Sequence, residues 1–98
     1  MIKYNYKVYY TSKFKKSLKK VLKQEKNIDK LLNIVDRLAN NEELEPQYKN
    51  HKLVDDKIYK NCGECHIEPD WLLIYQYNND ELILILVNTG SHSEVLNK

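Results

Sequence analysis

Past two helical stripes the hydrophobic period of this chain shortens to that of strands, and that change limits what it can fold into. Phe14, Leu18, Val21 and Leu22 stand at i, i+4, i+7 and i+8, a helical stripe with lysines on the other sides. Ile28, Leu31, Leu32, Val35 and Leu38 form a second, stronger stripe, closed by Asn40 and Asn41. Ser12 is placed to cap the first helix, and Asn27 or Asp29 the second. Further on, the pattern shortens to strand-like runs over residues 57–66, 71–77 and 82–87, with Asn78-Asn79-Asp80 turning the last pair into a hairpin. An aromatic and β-branched run over residues 6–11 precedes the helices and reads as a first strand. Residues 42–56 are polar, hold Pro46 and read as a loop, and residues 93–96 read as a short helical turn.

The predicted order is therefore β-α-α-β-β-β. It describes an α+β fold, a mostly antiparallel sheet with an N-terminal helix hairpin packed on one face. With 98 residues and neither a repeat nor a linker, residues 1–98 are expected to form one domain. No apolar run approaches the ~20 residues of a membrane span, and Tyr4, Asn5 and Lys7 interrupt any signal-peptide pattern. Two cysteines in such a chain point to a reducing cytoplasm and not to a disulfide scaffold.

The net charge of +2 conceals two halves of opposite sign. Residues 1–37 carry eleven Lys or Arg against three acids, and residues 38–98 carry five against eleven. A basic half can attract phosphate, and an acidic half with histidines can move protons. Lys13, Lys15, Lys16, Lys19, Lys20, Lys23 and Lys26 read either as a solvated face or as a surface that tracks nucleic-acid phosphates. Arg37 is the one arginine, so bidentate phosphate recognition is scarce.

Cys62 and Cys65 are three residues apart, so in an extended strand they point to opposite faces. A structural zinc site also needs four ligands, usually a second pair, and His51 and His92 are unpaired in the sequence. The expectation is two small thiols, no metal and no cofactor. His51, His66 and His92 each fall in a loop or at a strand end, where catalytic groups gather; each alone can equally be structural or solvated. Glu64, His66 and Asp70 share one parity, and imidazole, which titrates near ~6.5 unperturbed, beside carboxylate suits general acid–base chemistry.

"YKNHKL" at 48–53, "ECHIEPDWLLIYQY" at 64–77 and "TGSHSEVL" at 89–96 together resemble the YafQ branch of the RelE/ParE toxin superfamily, in order and spacing. The resemblance spans nearly the whole chain. It implies a type II toxin, a ribosome-dependent mRNA endoribonuclease (an mRNA interferase) that inhibits translation and is held inactive by a cognate antitoxin. The family's catalytic positions fall on His51, His66, Asp70 and His92, with Trp71 beside them, and Glu64 matches an acidic position that some relatives use. Three positions depart from the family. Gly63 and Asn88 stand where relatives usually carry arginines, and Leu96 stands where they carry an aromatic.

The implied reaction uses the ribose 2′-OH as nucleophile without metal. A base takes its proton, an acid protonates the 5′ leaving oxygen and a cation stabilises the phosphorane. His92, in a small polar loop after the last strand, is assigned as the acid, with Asp70 or His66 as the base. With Gly63 and Asn88 in place of arginine, the cation is expected from Lys52, Lys60 or a protonated histidine, or else the toxin is weakened or inactive. Lys13, Lys16, Lys19, Lys20 and Lys23 are the expected ribosome- or RNA-binding residues. A non-catalytic ParE-like module that binds a target protein, or an inert domain that only binds antitoxin, is the alternative.

Overall fold

Thr11 fixes where the first helix begins. Its Oγ1 accepts the Phe14 N–H at 3.0 Å and donates to the Val87 carbonyl at 2.8 Å, so one side chain both caps the helix and ties it to a strand. The cap is thus Thr11 and not Ser12, which is already helical. The computed structural model describes residues 5–96. In chain order these form β1 (Lys7–Tyr10), α1 (Ser12–Lys23), α2 (Ile28–Ala39), β2 (His51–Lys52), β3 (Gly63–Glu68), β4 (Trp71–Asn78), β5 (Ile83–Gly90) and α3 (His92–Leu96). Asn27 opens α2, its Oδ1 accepting the Asp29 N–H at 3.0 Å. A single 3-10 turn, Pro46–Tyr48, precedes β2.

The sheet runs β1-β5-β4-β3-β2. Neighbours pair antiparallel except at one edge, where β1 lies parallel to β5 with Lys7 opposite Ile83. The sheet is therefore mixed. β1 is exposed along all four residues and so lacks the buried, continuous apolar run typical of parallel strands, which left the parallel pair beyond the sequence pattern. β2 is a second addition. It has two residues, too few to show alternation, and pairs His51 with Glu64.

The expected strand over 57–66 is half turn. Asp56 Oδ1 accepts the N–H groups of Ile58 and Tyr59, and Asn61 adopts a left-handed φ of 60°, so the chain enters β3 only at Gly63. Tyr59 and Cys62 are folded inward by this turn and buried.

Alternation along the strands then sorts the core into two clusters. Cys65, Ile67, Trp71, Leu73, Tyr75, Leu84 and Leu86 face α1 and α2 and pack against Phe14, Val21, Leu31, Ile34 and Leu38. Leu72 and Ile74 face the other way, under Tyr59, Cys62 and Val95 of α3. Both long helices thus cover one face, as the stripes require, although Leu22 and Leu32 of those stripes remain exposed. Each fully buried aliphatic or aromatic side chain contributes about 1.5–3 kcal/mol. The two cysteines fall into different clusters and are free thiols. Burial pushes Cys65 up to about 12 and raises Cys62, so neither is a ready thiolate.

Arg37 is taken up by structure. Its guanidinium pairs with Glu45 and donates to the Glu43 carbonyl, pinning the segment after α2. Among the described residues no helix is long and apolar enough to cross a membrane.

Candidate active site

On the face that α1 and α2 leave open, β2, β3 and the start of α3 bring titratable side chains into a row. Pairing of β2 with β3 sets His51 beside Glu64, and the period of two sets His66 on the same side as Glu64. Glu64 Oε1 lies 3.5 Å from Nε2 of both histidines. The His51 ring is turned by its other nitrogen, which sits 2.7 Å from the Lys49 carbonyl. A carbonyl only accepts, so Nδ1 carries the hydrogen and Nε2 is directed at Glu64. His92 stands edge-on to His66, ring centroids 5.2 Å apart. Asp70, in the β3–β4 turn, closes the row: its Oδ1 accepts the His92 backbone N–H at 2.8 Å and lies 2.6 Å from His92 Nδ1.

The row is graded in depth. The Glu64 and His66 side chains are 8% and 14% exposed, while those of His51 and His92 are half open. A ligand can thus reach an imidazole at each end while the central carboxylate stays covered. The His92 backbone N–H, then its ring, hold the Asp70 carboxyl below its ordinary value. With Nδ1 tied to that carboxylate, His92 presents Nε2 outward.

Five of the sequence-selected residues are therefore assembled in space: His51, Glu64, His66, Asp70 and His92. Trp71 is near them but fully buried. Its Nε1 donates to Thr89 Oγ1, which in turn donates to the Leu72 carbonyl, so it joins β4 to β5 beneath the site. Leu96 is half-buried against the cluster of Leu72 and Val95. Lys52 follows His51 in β2, and alternation turns it away from the face that His51 shares with Glu64. Lys60 is exposed in the turn before β3. Lys13, Lys16, Lys19, Lys20 and Lys23 are all exposed on α1; the Lys13 ammonium lies 5.6 Å from the Tyr59 ring centroid, beside the open face. Among the described residues no three His, Cys, Asp or Glu are grouped to hold a metal ion.

Two of the three positions that depart from the resemblance, Gly63 and Asn88, have local explanations. A Cβ on Gly63 would lie 2.5 Å from Tyr75 Cζ, so the tyrosine ring fills the space of any side chain there. Burial pushes the Tyr75 hydroxyl up to about 12, and it donates to Asn50. Asn88 is buried at the centre of a polar network. It accepts from Ser17 Oγ and the Thr89 N–H and donates to the Tyr59 hydroxyl, which donates to the Val95 carbonyl. Tyr59 and Ser17 were not legible as site neighbours. A tyrosine in an apparent strand and a serine in a lysine-rich helix carry no distinguishing spacing.

Three imidazoles and two carboxylates in one shallow row are groups capable of general acid–base chemistry. The pattern of the YafQ toxins, bacterial toxins of type II toxin–antitoxin systems, matches residues 6–97. The mRNA interferase toxin YafQ of Escherichia coli (strain B / BL21-DE3) is 34% identical over 85 residues, 86% of this chain and 88% of that protein. Among solved structures, a metal-bound toxin from Helicobacter pylori superposes with a TM-score of 0.84 at 39% identity, covering 92% of this chain and 98% of that one. The E. coli DinJ-YafQ complex gives a TM-score of 0.80 at 32% identity, covering 92% and 97%. The chain belongs to the YafQ family of type II toxins.

Proposed function

We propose that this toxin is an mRNA interferase that cleaves messenger RNA on the ribosome, with His92 as general acid and His66 as general base. The observation that carries the reading is the edge-to-face approach of the two imidazoles, 5.2 Å between centroids, each with a carboxylate beside it. His66 takes the proton of the 2′-OH, whose oxygen attacks the adjacent phosphorus; His92 protonates the departing 5′ oxygen. For His92 to act as acid its outward Nε2 must carry a proton, and the Asp70 carboxylate on Nδ1 fixes the ring in that orientation. Asp70 already accepts two His92 groups through one oxygen, which favours His66 over Asp70 as base. Glu64 orients His66 and His51, and His51 supplies a second imidazole toward the phosphate.

The exposed lysines of α1 hold the ribosome or the RNA backbone by charge, with Lys52 and Lys60 as further phosphate contacts. The named E. coli complex supports an antitoxin as protein partner, and the chain is read as acting in the cytoplasm. Translation in a cell-free system, followed by primer extension on the message with and without ribosomes, tests the function. New 5′ ends that need both toxin and ribosomes are expected. Arrest of translation with an intact message would instead favour a non-catalytic inhibitor, and neither cleavage nor arrest would favour a domain that only binds antitoxin.

A further inference from the structure

Lys26 differs from the lysines of α1 in its burial. It lies in the linker between α1 and α2, and it is half-buried where the α1 lysines Lys13, Lys16, Lys19, Lys20 and Lys23 are exposed. Its ammonium sits 5.6 Å from the centroid of the buried Trp71 ring, a cation–π placement that fixes a normally flexible head. It borders a hollow of about 420 Å³ together with Glu68, Asp70, Ser91 and Ser93. That hollow abuts the Asp70–His92 pair.

The carboxylates around this hollow already have donors. Glu68 is bonded to Lys30 at 3.0 Å, and Asp70 accepts from His92. Glu94 accepts the Ser91 N–H at 2.9 Å. Lys26 forms a looser ion pair, at 3.6 Å, with the other oxygen of Glu68. An ammonium has three donors, so Lys26 is a held cation with donors to give. Arg37, in contrast, is fully engaged with the segment after α2.

We infer that Lys26 is the cation of this site, binding a phosphodiester oxygen of the RNA at the His92 end of the row. The inference rests on the mRNA-cleavage reading for its substrate. A pre-placed ammonium there needs no reorganisation as charge builds on the phosphorane. The charge of Lys26 also helps to depress the Asp70 carboxyl, after the larger effects of His92, which is consistent with its closeness to the pair.

The test uses the full chain and a short single-stranded RNA probe with 2′-O-methyl groups on every ribose, which cannot be cleaved. Binding is followed by NMR titration over a salt series for the parent, Lys26→Met, Lys26→Arg and Lys30→Gln. Methionine keeps the apolar stem over Trp71, so the fold is expected to hold, and melting curves check it. Lys26→Met should bind about five- to tenfold more weakly, with a salt slope shallower by about 0.7, the share of one phosphate contact on a single strand. Lys26→Arg should bind within about twofold of the parent, and Lys30→Gln should be unchanged. Equal binding by Lys26→Met and the parent overturns the proposal. So does an equal loss in Lys30→Gln, because the effect would then be general charge. Ribosome-dependent cleavage is measured on the same proteins. If the parent binds through Lys26 but cuts nothing, the catalytic reading fails and the phosphate site stands; if the parent cuts and Lys26→Met binds and cuts equally, only the phosphate site fails.

Discussion

Cys65, Leu73 and Leu84 line one face of the sheet, and Glu64, His66 and Asn88 the other; in β3 the two sets are one residue apart. The first face is covered by two helices of twelve residues each and is almost wholly apolar. The second has a five-residue helix and one turn over it, and polar side chains occupy its centre. The difference follows from covering. A helix excludes water along its full length, so the first face can be closed and contributes stability. The second stays open at His51 and His92, where imidazoles can meet a ligand. Stability and chemistry are thus separated by the pleat of single strands, and substitutions should separate them too.

The largest effect is expected on the closed face. Leu73 is fully buried within the cluster under α1 and α2, so Leu73→Ala should cost about 2–5 kcal/mol, visible as a drop in the urea midpoint. A loss below 1 kcal/mol would mean that this face is not the stabilising one. Gly63→Ala sharpens the contrast, since its new Cβ would press on the Tyr75 ring at 2.5 Å from Cζ. Overpacking of that kind costs about 1–3 kcal/mol, and the Tyr75 contact with Asn50 should loosen. A neutral result in thermal melting would show that the ring has room to move.

A smaller stability effect is expected away from both faces. Lys16, Lys19 and Lys20 are exposed on α1, so reversing all three to Glu should leave melting nearly unchanged, about 0.5 kcal/mol or less per site. Ribosome co-sedimentation should nevertheless weaken and lose part of its salt dependence. Co-sedimentation equal to the parent across the salt series would reduce this helix to a solvated face.

The sequence was informative where a pattern had length. Both twelve-residue helices announced themselves by period, and β4 and β5 by their apolar runs. Ends and partners were less legible. Thr11 and Ser12 are both good caps, and only the Val87 carbonyl, far along the chain, decides between them. The parallel placement of β1 and the two-residue β2 depend on tertiary contacts that leave no periodic trace. The turn ahead of β3 could have been suspected from Asp56 and Asn61, residues suited to side-chain-capped and left-handed turns. In the site, chemistry-bearing residues stood out by type, and the shared parity of Glu64 and His66 survived folding. The buried pairing of Asn88 with Tyr59 and Ser17, and the seating of Lys26 over Trp71, join residues that nothing in the sequence connects.

The division between a stabilising face and a reactive one is tested most directly by His92→Ala, with melting and ribosome-dependent cleavage measured on the same preparation. Asp70 accepts the backbone N–H of residue 92 as well as its ring, so the start of α3 keeps its anchor when the ring is removed. The His92→Ala protein should melt close to the parent and cleave about a hundredfold or more slowly, the scale of a lost general acid. Cleavage at the parent's rate by a folded His92→Ala protein, or a loss of cleavage that only follows a loss of fold, would contradict that division.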